Sequence, residues 1–117
     1  MHAVDPRRTA SAKFADAWLG LDVGTDIALA NAVAREIIAS DLHNKDFIAH
    51  STRGFEDFAA HVDTYTLERA SSITGVPAKA IQALAHDYAS APSAQILWTL
   101  GITEHHNGVD NVLSLCN

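Results

Sequence analysis

Residues 94–108 read AQILWTLGITEHHNG, and this stretch decides the fold that the sequence predicts. The continuous apolar run Ile96-Leu97-Trp98, with turn residues before it and Gly101 after it, predicts a strand over Ala94–Leu100 that is buried on both faces. Strands of this kind are typical of parallel sheets, which helices cover on both sides. The polar residues Thr103–Gly108 predict a loop at the carboxyl end of this strand.

The rest of the chain predicts further strands and several helices. Residues 17–21 indicate a short buried strand, and Ala3-Val4 indicates the end of another, because Pro6 cannot donate to a ladder. Apolar residues at three- and four-residue spacing predict helices over Asp26–Ser40, Lys45–His50, Phe55–Val62, Leu67–Ile73, the segment from Pro77 to just before Pro92, and Val109–Cys116. This order predicts an α/β fold: a Rossmann-like three-layer fragment with a short, mainly parallel sheet and several helices.

The helix predicted over Asp26–Ser40 carries the clearest periodicity. Thr25 or Asp26 is expected to supply its N-cap oxygen. One face collects apolar side chains and is expected to face the core; its members are Ile27, Ala30, Ala34, Ile37 and Ile38.

Composition narrows the class of protein. The chain has 117 residues and a net charge of −6; 48% of it is hydrophobic and 19% is charged, so one folded domain over residues 1–117 is expected. The acidic balance argues against nucleic acid or an anionic membrane surface as a partner. No apolar run approaches the roughly 20 residues of a membrane span, and we expect a cytoplasmic location. The single cysteine, Cys116, excludes an internal disulfide and is expected to be a small buried residue.

Three polar loops follow predicted strands, where α/β sheets bind ligands. The first, Asp5-Pro6-Arg7-Arg8-Thr9, combines an acceptor, a rigid corner and two guanidinium groups, which suit ribose hydroxyls and phosphate. The second is Gly24-Thr25-Asp26, where a glycine permits close approach and a helix N-terminus favours acceptor groups. The third runs from Gly101 to Gly108 and includes Glu104. The alternative for the first two loops is a self-stabilised charged turn and a plain N-cap.

The histidines indicate no metal or catalytic site. Glu104, His105 and His106 are ligand-capable, but four-coordinate zinc needs further ligands at a supporting spacing, so no metal site is expected. We expect His43, His50, His61 and His86 to be mostly exposed, without a carboxylate partner.

Taken in order, the loops and the segments between them resemble one family. The matching segments are Val4–Thr9, Gly24–Leu29, Gly54-Phe55-Glu56, Ile73–Pro77, Ala91, Ile96-Leu97-Trp98 and Leu100–Val112. Together they resemble a middle portion of the molybdopterin oxidoreductases, and most closely the catalytic α subunit of molybdenum-dependent formate dehydrogenases. The similarity covers essentially all 117 residues.

This resemblance implies a domain that binds one half of a bis(molybdopterin guanine dinucleotide) cofactor. The cofactor-binding residues that it implies are Asp5, Pro6, Arg7, Gly24, Thr25, Asp26, Gly101, Glu104 and Gly108. The family oxidises formate to carbon dioxide at a molybdenum held by selenocysteine or cysteine, with a neighbouring histidine and arginine and a four-cysteine cluster, none of which has a counterpart here. We therefore expect an internal fragment of a larger enzyme, inactive and without bound cofactor when isolated, whose partner is the remainder of that enzyme. The alternative is an interaction or scaffold domain that forms a homo-oligomer through exposed apolar surface.

Overall fold

Two short parallel strands form the sheet of this protein in a computed structural model that describes residues 1–117. Strand β1 covers His2–Val4 and strand β2 covers Ala17–Leu19, with Ala3 paired to Trp18. The helices are α1 Ala10–Phe14, α2 Asp26–Ala39, α3 Lys45–Ser51, α4 Phe55–Val62, α5 Leu67–Thr74, α6 Ala78–Ser90, α7 Leu100–Thr103 and α8 Gly108–Cys116. The predicted α/β class, with a short parallel sheet and several helices, is confirmed.

The prediction of a buried strand over Ala94–Leu100 is wrong. Residues 94–99 form neither helix nor strand, and Leu100 begins α7. The apolar side chains of this stretch are exposed, and Leu97 is 88% accessible to solvent. Because β1 pairs with β2 alone, no neighbouring strand satisfies the backbone of residues 94–99, and a doubly covered strand cannot form there.

Helix boundaries follow local chemistry more closely than the strands do. Helix α5 ends at Gly75, whose φ of 73° places it in the left-handed region that glycine adopts without strain. Pro77 directly precedes α6, as its fixed φ and missing N–H favour. The predicted side-chain N-cap of α2 does not form, because the Thr25 hydroxyl donates to the Asp22 carbonyl at 2.6 Å instead.

The core lies between β2 with the residues after it and three helices. Its fully buried members are Leu19, Leu21, Leu29, Ala32, Ala70, Val76 and Ile81. Helix α2 is central, since it packs against α4, α5, α6 and α8.

The buried face of α2 differs from the predicted one. Leu29, Ala32 and Glu36 are buried, whereas Ile27 and Ala34 are only half-buried. Leu29, Ala32 and Glu36 recur at three- and four-residue spacing, so they form one stripe on the side of α2 opposite to the predicted face. A polar residue such as Glu36 can then be buried where a neighbouring helix supplies hydrogen-bond partners.

The end of α8 departs from expectation as well. Cys116 is exposed, not buried. It lies five residues beyond the buried Asn111, about 140° around the helix, so it faces away from the side that packs.

None of the eight helices combines the length and apolar character that crossing a membrane requires.

Candidate functional site

A cleft of about 160 Å³ opens where the chain leaves β1, β2 and the unpaired stretch 94–99. Nine residues line it: Asp5, Pro6, Arg7, Leu21, Val23, Gly24, Asp26, Gly101 and His105. The structure thus brings parts of all three polar loops to one place, although the first and the third lie nearly 100 residues apart in sequence. Such a position at the carboxyl ends of parallel strands is where open α/β sheets bind ligands.

The first wall of the cleft is the turn that follows β1. The Asp5 N–H donates to the Leu19 carbonyl at 3.2 Å, which extends the ladder by one residue. The Arg7 N–H donates to Asp5 Oδ1 at 2.7 Å, so the aspartate closes its own Asx turn. The Arg7 side chain is exposed and lines the cleft, where its guanidinium can meet an anionic or planar group.

The second wall is the turn that follows β2. The Asp22 N–H donates to the Thr74 carbonyl at 2.8 Å, which ties this turn to the end of α5. Gly24 has a φ of 85°, and a Cβ placed on it would meet nothing within 4 Å. Asp26 begins α2, so its carboxylate lines the cleft at the positive end of a helix. This turn therefore presents open backbone and one acceptor side chain.

The third wall comes from Gly101 in α7 and from His105, which follows the end of that helix. A Cβ on Gly101 would also meet nothing within 4 Å, so the backbone there is open to the cleft. Nε2 of His105 donates a hydrogen bond of 2.9 Å to the Gly101 carbonyl oxygen. Sequence reasoning did not single out His105 as a wall of the cleft, because its partner carbonyl comes into reach only through the turn of α7.

Three of the sequence-predicted residues do not line the cleft. Thr25 is occupied by its bond to Asp22, and Glu104 is exposed outside the cleft. Gly108 is buried at the start of α8, where a Cβ would overlap the carbonyl oxygen of Thr103, so its visible role is close packing. No group of three or more histidine, cysteine, aspartate or glutamate side chains is placed to hold a metal ion.

A second polar cluster lies between α2 and α6, which sequence reasoning missed. Oε1 of the buried Glu36 accepts hydrogen bonds from Gln82 at 2.9 Å and from Ser40 at 3.3 Å, and His86 Nε2 lies 3.0 Å away. The expectation that His86 has no carboxylate partner is therefore wrong. The two residues are 50 positions apart, and only the packing of α2 on α6 joins them.

The electrostatics of Glu36 follow from these contacts. The hydrogen bond from Gln82 holds the pKa of the Glu36 carboxyl below its ordinary value, with further support from His86 and Ser40, against the opposing effect of burial. We name these four residues, Glu36, Ser40, Gln82 and His86, the α2–α6 cluster. Its acceptor is satisfied inside the protein, so the cluster holds two helices together.

Comparison with known proteins identifies the family. The family model described as Molybdopterin oxidoreductase matches residues 1–117. The F420-dependent formate dehydrogenase 2 subunit alpha of Methanococcus maripaludis is 42% identical over 115 residues, which are 98% of this chain and 17% of the relative. Formate dehydrogenase H of Escherichia coli is 44% identical over 111 residues, which are 95% of this chain and 16% of the relative.

A solved structure agrees with these relatives. Acetylene hydratase from Pelobacter acetylenicus superposes with a TM-score of 0.94 at 34% identity, over 98% of this chain and 16% of that one. The chain thus spans about 17% of the length of the curated relatives it matches. Because the family model matches the chain from end to end, the protein belongs to the molybdopterin oxidoreductase family.

Proposed function

We propose that this chain supplies part of the binding site for the guanine dinucleotide end of a molybdopterin guanine dinucleotide cofactor, within a formate dehydrogenase. The observation that carries the proposal is the convergence of Asp5, Arg7, Gly24, Asp26 and Gly101 on one cleft. Relatives named formate dehydrogenase match nearly the whole chain, which supports the parent activity. We further propose that residues 1–117 are one partial, Rossmann-like domain of that enzyme.

The cleft fits one part of such a cofactor. Its volume of about 160 Å³ is below the roughly 300 Å³ at which pockets for drug-sized ligands begin, so it has room for a base or sugar and not for a whole dinucleotide. Open backbone at Gly24 and Gly101 lets a ligand lie directly against the chain. One guanidinium donor and two carboxylate acceptors line the cleft, and they match the acceptors and donors of a guanosine phosphate.

Each residue has a role in this proposal. Arg7 donates to phosphate or stacks on the base, and Asp5 holds the turn that presents it. Asp26 accepts the N–H groups of the guanine edge, and Pro6 keeps the corner rigid. Thr25 fixes the turn around Gly24, and Gly108 lets α7 and α8 approach. Glu104, which is exposed and does not line the cleft, would face the pyrophosphate.

The chemistry of formate oxidation indicates which groups this chain does not supply. Oxidation of formate to carbon dioxide releases a proton and two electrons, and the molybdenum of the bound cofactor supplies that chemistry. This chain has one cysteine, which is exposed near the end of α8. We therefore assign the molybdenum ligand and the electron-transfer centre to other parts of the enzyme, which the relatives contain beyond the matched 17%.

Titration of the 117-residue chain with GMP tests the proposal. GMP at about ten times its Kd raises the free energy of unfolding by about 1.4 kcal/mol, which a thermal-shift measurement detects. Arg7→Ala is expected to weaken GMP binding about 10- to 100-fold, because it removes charge-assisted hydrogen bonds. Arg53→Ala is the matched control, since Arg53 is exposed and does not line the cleft.

Two results would contradict the proposal. The first is a wild-type chain whose unfolding temperature does not move at millimolar GMP. The second is equal loss of affinity in Arg7→Ala and Arg53→Ala, since that would indicate attraction to overall charge and not binding in the cleft.

A second candidate function is an interaction domain that self-associates. Exposed apolar side chains favour it: Leu97 is 88% accessible, and Leu100, Val109 and Leu113 are also exposed. In the parent enzyme the same surface would lie against the remaining domains. Light scattering that rises with protein concentration in the wild type, and falls in Leu97→Ser, supports self-association; a chain that stays monomeric throughout contradicts it.

A further inference from the structure

Trp18 holds the turn that forms the first wall of the cleft. We propose that Trp18 is a positioning residue: it fixes the Asp5–Arg8 turn in the conformation that presents Arg7 to a ligand. This inference rests on the proposed function, because it concerns the same cleft. Trp18 itself does not line the cleft, so its effect passes through the turn.

The contact begins with the indole nitrogen. Trp18 Nε1 donates a hydrogen bond of 2.8 Å to the carbonyl oxygen of Asp5. Asp5 also donates its own N–H to Leu19 and accepts the Arg7 N–H on its carboxylate. The backbone N–H, backbone carbonyl and side chain of Asp5 are therefore all engaged, and this residue has little freedom left to move Arg7 out of place.

The face of the indole makes the second contact. The Arg8 guanidinium carbon lies 5.7 Å from the centre of the Trp18 ring, within the range of a cation–π interaction. Arg8 is thereby held on the indole while Arg7 lines the cleft. The two adjacent arginine side chains thus have different surroundings, one on the indole and the other in the cleft.

Gly20 allows the indole to lie where it does. A Cβ on Gly20 would come within 2.7 Å of Cζ2 of Trp18, closer than real side-chain carbons approach. Any residue other than glycine at position 20 must therefore displace the ring. Gly20, two residues after Trp18, is therefore required for the position of the indole ring.

Trp98 provides a natural control. It is 40% exposed and Trp18 is 39% exposed, so solvent access to the two side chains is matched. Trp98 lies in the unpaired stretch 94–99, and the indole hydrogen bond and the arginine contact are made by Trp18 and not by Trp98. The two tryptophans therefore differ in the indole hydrogen bond and in the neighbouring arginine.

The first measurement needs no ligand. Hydrogen exchange of the two indole N–H groups, followed by NMR and assigned with Trp18→Phe and Trp98→Phe, compares the bonded indole with its control. We expect the Trp18 Nε1–H to exchange at least about 10-fold more slowly than the Trp98 Nε1–H, because a bonded N–H must open before it exchanges. Gly20→Ala should raise its rate to that of Trp98.

The second measurement is GMP affinity. Trp18→Phe and Gly20→Ala are expected to weaken GMP binding about 2- to 10-fold, because the ligand must then order the turn itself. Trp98→Phe should bind GMP as the wild type does. Unfolding temperatures of all three variants identify those that are folded at the titration temperature, and a variant that binds more weakly while fully folded supports positioning over simple loss of structure.

The outcomes separate the two proposals. Fast exchange at Trp18, or unchanged GMP affinity in both Trp18→Phe and Gly20→Ala, overturns the role of Trp18 and leaves the cleft proposal standing. Slow exchange at Trp18 in a wild-type chain that does not bind GMP overturns the proposed function, and the positioning role with it.

Discussion

The cleft and the α2–α6 cluster are both built from charged and polar side chains, yet they are built in opposite ways. In the cleft, Arg7 and Gly24 are exposed and offer donors and backbone to solvent. In the cluster, Glu36 is buried and one of its oxygens receives hydrogen bonds from two helices. Burial makes an unsatisfied polar group costly, so the cluster must be complete within the protein, whereas the cleft can keep groups free for a ligand.

The cleft is therefore expected to serve ligand binding, and the α2–α6 cluster to serve stability. Substitutions in the cluster should change the free energy of unfolding and leave ligand binding alone. Side-chain substitutions in the cleft should mainly change ligand binding, while a glycine there with a positive φ also contributes to stability.

Glu36→Gln is expected to give the largest loss of stability. It replaces an ionised acceptor that bonds to Gln82 and Ser40 by a neutral amide, which should lower the free energy of unfolding by about 1–3 kcal/mol. Urea unfolding measures the change. Glu104→Gln is the control, because Glu104 is exposed and should stay within about 0.5 kcal/mol. An equal loss in both variants would remove the contrast between cluster and surface.

The same carboxylate should make stability depend on pH. The pKa of Glu36 is lower in the folded protein than its ordinary value of 4.5, so its stabilisation is complete above about pH 4.5 and is lost as the pH falls through the folded pKa. The advantage of the wild type over Glu36→Gln should therefore shrink between pH 6 and pH 3. Asp16 and Asp41 also have lowered pKa values, but both remain in the variant, so their contributions cancel in the difference.

Denaturant unfolding at several pH values measures this dependence for both proteins. A constant difference in unfolding free energy from pH 6 to pH 3 would show that the charge of Glu36 does not stabilise the fold.

Two glycines that line the cleft should give the smallest effects and differ from each other. Gly24→Ala is expected to cost about 1 kcal/mol, because φ of 85° strains any residue with a Cβ even where space is open. Gly101→Ala, also in open space but within α7, should be neutral or slightly stabilising. Thermal unfolding compares them. Equal costs would mean that backbone conformation does not explain the glycine at position 24.

Much of the helical structure could be predicted because its signals are local. The periodic residues from Asp26 onward, the glycine at position 75 and the proline at position 77 specify helix limits without help from distant residues. The predicted ligand loops also follow a local rule, and seven of their residues share one cleft. Their role in binding guanine dinucleotide stays a prediction.

The errors share one physical cause. An apolar run such as Ile96-Leu97-Trp98 becomes a strand only if other strands pair with it, and here β1 and β2 pair only with each other. The buried position of Glu36 depends on Gln82 and His86, more than 40 residues away, which no local pattern indicates. Cys116 is exposed because the packed side of α8 is set by α2 and α7, not by the apolar character of a thiol.

Local patterns and ordered motifs are enough to predict the family, the α/β class, six of the eight helices and the residue types available for binding. They do not predict α7, because the same patterns indicate a strand up to Leu100 and a loop from Thr103. Tertiary structure alone decided which of those residues meet. It brought Asp5, Gly24 and Gly101 to one cleft, bonded the Thr25 hydroxyl to Asp22, buried Gly108, and joined Glu36 to His86 across two helices. The reason is that contacts between distant residues are set by how helices and strands pack, and packing depends on the whole chain at once.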